Sequence, residues 1–175
     1  MNEIIKKNGI TYGIVAGVVG ALITAAMYAI DLNLFVKWWI GIATIVIYIT
    51  IGIILLSKTK KELKGVFSFK EAFTTYFISG VVASLISVGF NILLFNVIDP
   101  SAKDTLNEIV IKSTAETLEK FGTPAAAITE TVAKMQENNP YSTIELLKGL
   151  IFSIGGTAFF GLLLALIFKS KPTQE

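Results

Sequence analysis

Chemistry in a protein site is carried by a short list of side chains, and this chain lacks several of them. Its 175 residues include no His and no Cys. That removes zinc and haem sites built on imidazole or thiolate, and any disulfide framework. Every basic residue is Lys. A nucleophile–base pair would have to come from Ser and Lys. Lys148 and Ser153 are near each other in sequence, but five positions apart on a helix places them on different faces. Carboxylates gather in one region: Asp99, Asp104, Glu108, Glu116, Glu119, Glu130, Glu137 and Glu145. Their spacing matches neither a calcium loop nor a Glu-x-x-His pair. A solvated acidic face is expected there rather than a metal site. No enzymatic activity and no cofactor is expected.

The remaining candidates are weakly polar. Asn91, Ser84 and Ser87 lie inside a long apolar run, with Ser79, Thr44, Tyr48 and Thr157 as milder company. Ionisable residues at membrane depth mark proton relays and ion pathways. Their absence from the apolar runs argues against a proton-coupled pump or a carrier of charged ligands. A path lined by hydroxyls or carbonyls stays open. Asn91 is expected to serve helix–helix hydrogen bonding rather than ligand contact.

The elements that hold these residues follow from composition. Hydrophobic residues make up 53% of the chain and charged residues 16%, where soluble domains carry about 25% charged. The apolar excess is concentrated in four runs, placing helices at about 9–30, 38–56, 72–98 and 146–168. Each is long enough for a ~30 Å hydrocarbon core, and lipid forces the backbone to satisfy itself as helix. The first run is longer than a signal-peptide core and is expected to stay uncleaved. The third exceeds one straight crossing, so it tilts or its last turns stand outside. Residues 1–175 thus form a single membrane domain. The fold class is all-α, an integral membrane four-helix bundle with an extracytoplasmic amphipathic helical hairpin between the third and fourth runs.

Segments 1–8, 57–71 and 169–175 hold Lys6, Lys7, Lys58, Lys60, Lys61, Lys64, Lys70, Lys169 and Lys171. Segments 31–37 and 99–145 are longer yet hold fewer lysines. The positive-inside bias places both termini in the cytoplasm. The 58–64 cluster reads as this orientation signal resting on anionic headgroups, with no nucleic-acid role. Single cysteines at Asp31 and Thr117 are expected to react with an impermeant reagent, and those at Thr59 and Thr173 are not. Tyr28, Phe35, Trp38 and Trp39 mark one membrane interface, and Phe67, Phe69, Phe73 and Tyr76 the other.

Ser68 with Glu71, and Ser142 with Glu145, have capping-box spacing before the third and fourth runs, and Tyr141 can staple onto Leu146. Asp99-Pro100 can open a helix on which Leu106, Ile109, Val110 and Phe121 share a face. Glu108–Lys112 and Glu116–Lys120 have the favourable i,i+4 order. Gly122 can end that helix, and Thr123-Pro124 can start another carrying Ile128, Val132 and Met135. The insert at 99–141 is therefore a hairpin whose apolar side must be covered by itself, the bundle, lipid or a partner.

Small residues recur every fourth position, from Gly9 through Gly13 and Gly17 to Ala29, and from Gly149 through Thr157 and Gly161 to Ala165. Gly80 and Ser84 flank a third stripe of Ser79, Ala83 and Ser87. Such stripes let helices approach closely in lipid. Gly13, Gly17, Gly80 and Gly161 are the packing candidates, within one chain first and in a homo-oligomer second.

Three stretches carry a family resemblance. They are Lys7-Asn8-Gly9-Ile10-Thr11-Tyr12-Gly13, Phe67-Ser68-Phe69-Lys70-Glu71-Ala72-Phe73, and Phe95-Asn96-Val97-Ile98-Asp99-Pro100. Together with the acidic helical insert and closing helix, they resemble the bacterial family of unknown function numbered 4199, found mostly in Bacteroidota. The resemblance implies a four-helix inner-membrane protein and supplies no site residues. The expected partners are membrane lipid and, through residues 99–141, an envelope protein or a second copy. The expected role is a non-enzymatic scaffold or accessory subunit, and the alternative is a small transporter or channel for a neutral or lipophilic solute.

Overall fold

The computed structural model describes residues 2–170, so Lys171 and Thr173 lie outside the described residues. Among the described residues the fold is helical throughout, with no strand. Helix α1 spans Glu3–Ile30, α2 Trp38–Glu62, α3 Phe69–Ile92, α4 Pro100–Lys120, α5 Ala125–Glu137 and α6 Thr143–Phe168. A 3-10 turn, Leu32–Val36, joins α1 to α2, and α3 runs on into a π-helical segment, Leu93–Ile98. Four helices are long and apolar enough to cross a membrane: α1, α2, α3 with its π-helical extension, and α6. All four outrun their charge-free cores, α3 through Lys70 and Glu71 and α6 through Glu145 and Lys148. α1 begins at Glu3, where the Asn2 side chain accepts from the Ile4 N–H, and α2 continues through Lys58, Lys60 and Lys61. Charge ends an apolar run without ending a helix, because Lys and Glu are good helix formers.

The caps follow local chemistry. Ser68 and Glu71 form a reciprocal capping box on α3. Asp99 caps α4, with Pro100 at the first helical position, where no N–H is needed. Ser142 accepts from the Glu145 N–H at 3.3 Å, but the Glu145 carboxylate turns to Lys148 at 2.5 Å instead of closing the box. Gly122 takes φ +73° and ends α4. The expected Thr123 cap on α5 is corrected: Pro124 occupies the cap position and no side chain caps that helix. The expected Glu108–Lys112 and Glu116–Lys120 pairs are also corrected. Among the described residues the ion pairs are Lys134–Glu130 and Lys148–Glu145. Exposed pairs gain so little in water that holding two long side chains together offsets it.

α3 is the central helix, with α1 and α6 packed against it and α2 more lightly set against all three. Glycines decide this arrangement. A Cβ on Gly9 would come within 2.9 Å of Ile78, one on Gly13 within 2.7 Å of the Ser79 carbonyl oxygen, and one on Gly17 within 2.7 Å of Ile86. On the other side Gly80 faces Thr157, and Gly161 faces Tyr76 and Phe73. Close backbone approach supplies the dispersion contacts that hold helices together in lipid. α2 is rich in Ile and has only Gly52 set under Tyr76, while its Gly41 meets nothing.

The two ends are built differently. At the lysine-rich end Leu56, Phe67, Ala72, Leu164 and Ala165 form a buried cluster. There buried Asn8 donates to Thr59 at 3.2 Å and to Glu62 at 2.7 Å, tying α1 to α2. Thr59 is fully buried, so the expectation that a cysteine there reports accessibility is corrected. Phe67 is fully buried. At the opposite end Leu94, Phe95, Ala102 and Leu106 are buried together, with Tyr28, Phe35, Val110 and Tyr141 packed around them. Tyr141 lies edge-on to Phe35 and Phe95. Phe121, expected on the apolar face of α4, lies past the helix end and is 82% exposed.

Candidate membrane cleft

At the lysine-rich end α2 and α6 converge on Tyr76, which is wedged against Gly52, Gly161 and Leu164. Further along they part. The gap is a cleft of about 390 Å³ backed by α3 and touched by Ala16 of α1. That volume falls within the range of small-molecule pockets, about 300–1,000 Å³. Tyr76 forms its floor. At its far end the Tyr48 and Ser87 hydroxyls crowd the point that a Cβ on Gly20 would occupy. Its two flanks carry Ile45 on α2 and Ser153, Gly156 and Phe160 on α6, all exposed. The cleft is therefore open sideways between α2 and α6.

Its chemistry is a row of hydroxyls on an apolar wall. No charged residue lines it, whereas Tyr48, Tyr76, Ser79, Ser84, Ser87, Ser153 and Thr157 do. Ser153 donates to the Leu150 carbonyl at 2.8 Å. The other six make no side-chain hydrogen bond to another described residue. A hydroxyl left unpaired in an apolar setting costs roughly 1–3 kcal/mol. These groups are placed to bond a guest or water.

The sequence-derived residues divide. Ser84 and Ser87 line the cleft, as does Gly80, which also faces Thr157. Asn91 lies one turn beyond and does not reach it. Its Nδ2 donates to the Ser87 carbonyl at 2.8 Å, within its own helix rather than across to a neighbour. Gly13 and Gly17 belong to the α1–α3 contact, and Gly161 lies under Tyr76. Tyr76, expected in the aromatic belt with Phe69 and Phe73, also lines the cleft as its floor. Nothing local marks that role, because it depends on two glycines from other helices. Lys148 and Ser153 take separate partners, Glu145 and Leu150. Among the described residues no three His, Cys, Asp or Glu side chains converge.

A second polar centre ties the bundle to α4. The Tyr28 hydroxyl donates to Asp99 at 2.7 Å, and Ser101 Oγ and the Ala102 N–H donate at 2.6 and 3.0 Å. The Ser101 bond first, then those from Tyr28 and Ala102, bring the Asp99 carboxyl down to about 2. Burial pushes the nearby Tyr141 hydroxyl up to about 12. The depressed Asp99 value fixes the sign of a pH effect. Its stabilisation is complete above the unfolded value near 3.8 and is lost as pH falls through the folded value near 2. The advantage of the native chain over Asp99→Asn in thermal unfolding is expected to be constant from neutral pH to about 4 and to vanish between about 4 and 2. A difference that fades above pH 5 would contradict this assignment.

No curated protein and no solved structure matches the chain. A family model described as protein of unknown function (DUF4199) matches residues 11–170, nearly the whole length, and the chain belongs to that family.

Proposed function

We propose that the protein is a non-enzymatic membrane protein that holds a small, neutral, lipophilic molecule in the cleft between α1, α2, α3 and α6. The observation that carries this reading is the set of unpaired hydroxyls on an uncharged, laterally open wall. It favours the solute-handling role over the scaffold. A guest would enter from lipid between α2 and α6, and no ion would be drawn in. Gly156 lines the cleft, and a Cβ there meets nothing within 4 Å, so Gly156→Phe brings a bulky side chain to the cleft without a clash at its Cβ. Lipid extracts of the purified native chain are expected to contain a neutral lipophile that extracts of Gly156→Phe lack. Identical extracts would overturn the reading.

The cleft sits in a bacterial inner membrane with both termini cytoplasmic and the α4–α5 hairpin outside. The lysine distribution supports this orientation. Exposed positions suited to testing it are Asp31, Lys61 and Thr117. Cysteines at Asp31 and Thr117 are expected to react with an impermeant thiol reagent in intact spheroplasts, and one at Lys61 only after lysis. The reverse pattern would invert the model.

A second reading, the scaffold, is favoured by the hairpin itself. None of α5's residues is buried, and Phe121 stands exposed at the tip. The hairpin would meet an envelope partner or another copy. Monomeric protein from which crosslinking recovers nothing at residues 99–141 would count against it.

A further inference from the structure

The hydroxyl pattern narrows the guest further, resting on the cleft reading above. Helical Ser and Thr in lipid ordinarily donate to a carbonyl one turn back. This chain does so at Thr44, Thr50, Thr59 and Thr75, with distances of 2.7–2.8 Å. Ser79, Ser84, Ser87 and Thr157 make no such bond and face the cleft instead. Thr11, Thr24, Ser57 and Thr74 also lack it, but none of them lines the cleft. Six hydroxyl-bearing residues without a side-chain partner thus line one space: these four, Tyr48 and Tyr76. None is opposed by a carboxylate or an amide.

Depth matters as much as number. The span Phe69–Ile98 has its midpoint between Ala83 and Ser84. Ser79 to Ser87 covers about 12 Å of helix around that midpoint. If α3 crosses a bilayer, the donors lie near its midplane. The ester carbonyls of a phospholipid lie near the headgroups, roughly 15 Å away, at half the ~30 Å core. A molecule that satisfies these donors must carry its acceptor oxygens inside an otherwise apolar body, with no charged head to hold it at the interface.

The geometry points to a neutral carbonyl-bearing lipophile of the quinone type as the guest, its oxygens accepting from the Ser84 and Ser87 hydroxyls and its body lying along α3 between Tyr48 and Tyr76. Each hydrogen bond in such a site is worth about a factor of ten in affinity.

The test compares two tritiated probes of one shape on the full chain in detergent micelles, with micelle partition subtracted. One is a 1,4-naphthoquinone with a single prenyl substituent, and the other is the corresponding prenylnaphthalene, which has no carbonyl. The native chain is expected to bind the quinone at least tenfold more tightly. The double variant Ser84→Ala/Ser87→Ala is expected to lose that preference while keeping its affinity for the hydrocarbon and its melting temperature. Gly156→Phe is expected to lose both probes. Equal binding of the two probes by the native chain, with loss in Gly156→Phe, would overturn acceptor recognition and leave the cleft reading standing. Failure of both probes to bind the native chain, or binding unchanged by Gly156→Phe, would overturn the cleft reading as well. A phosphatidylcholine with tritiated acyl chains that competes as well as the quinone would assign the site to an acyl chain and overturn the depth argument.

Discussion

Gly13→Leu is expected to separate α1 from α3 and to destabilise the bundle by about 2–3 kcal/mol, the upper part of the overpacking range. The size follows from what the new side chain meets. A Cβ at Gly13 lies 2.7 Å from the Ser79 carbonyl oxygen and 2.7 Å from the Val82 Cβ. Neither is the far end of a flexible side chain, so relief requires the helices to move. Movement forfeits the matching contacts at Gly9 and Gly17, because one rigid helix carries all three. Higher helix propensity returns up to about 1 kcal/mol. Gly89→Leu is the control: nothing lies within 4 Å of its Cβ position, so it gains propensity without a clash. Thermal unfolding in detergent measures both. Similar melting temperatures for the two variants would show that the α1–α3 contact is not close-packed.

Phe95→Ala is expected to cost about 3–5 kcal/mol, the range for emptying a buried aromatic site. Phe95 is fully buried, with the rings of Tyr28, Phe35 and Tyr141 at 6.3, 5.8 and 5.3 Å. Those rings come from α1, the 3-10 turn and the segment before α6. Phe95 is thus the shared contact of four separate parts of the chain. It also lies in the π-helical segment that leads into α4, so its loss should release the insert before the bundle unfolds. Limited trypsin digestion is expected to cut at Lys112 and Lys120 faster in Phe95→Ala, while the spans stay intact. Phe121→Ala, at an 82% exposed position, should change stability by no more than about 0.5 kcal/mol. Equal cleavage in the two variants would mean that the aromatic cluster does not dock the insert.

Most of the secondary structure was legible because the relevant signals are local. A Ser three residues before a Glu, an Asp before a Pro, and a Gly after a Lys-bearing turn each act within one helical turn. Their geometry was therefore fixed by neighbours in the sequence. The misread positions have several causes, and only Thr59 depends on a contact distant in sequence. Thr123 gave way to Pro124 as the start of α5, and Phe121 fell outside the helix that was to bury it. The expected Glu–Lys pairs on α4 did not close, because water competes for both partners. Thr59 looked like part of a solvated lysine stretch, yet it is fully buried, because Asn8 of α1 reaches across to it.

The candidate site was legible only in fragments. Ser84 and Ser87 stood out as polar groups in an apolar run and do line the cleft. Asn91, chemically the most conspicuous of the three, does not, because its amide can satisfy itself on the carbonyl one turn back. Tyr76 and Ser153 carried no local sign that they would line it.

By itself the sequence determined the helical class, the four apolar spans, the caps of α3 and α4 and the family, since backbone satisfaction in lipid and capping geometry act within a few residues. It also excluded His- and Cys-based chemistry, since a residue type absent from the chain is absent from every fold of it. Tertiary structure alone decided that glycine stripes would press α1 and α6 onto α3 while Ile-rich α2 stood off. The cleft is the residue of that unequal packing. Its size depends on distances between helices far apart in the chain, and no local pattern encodes those distances.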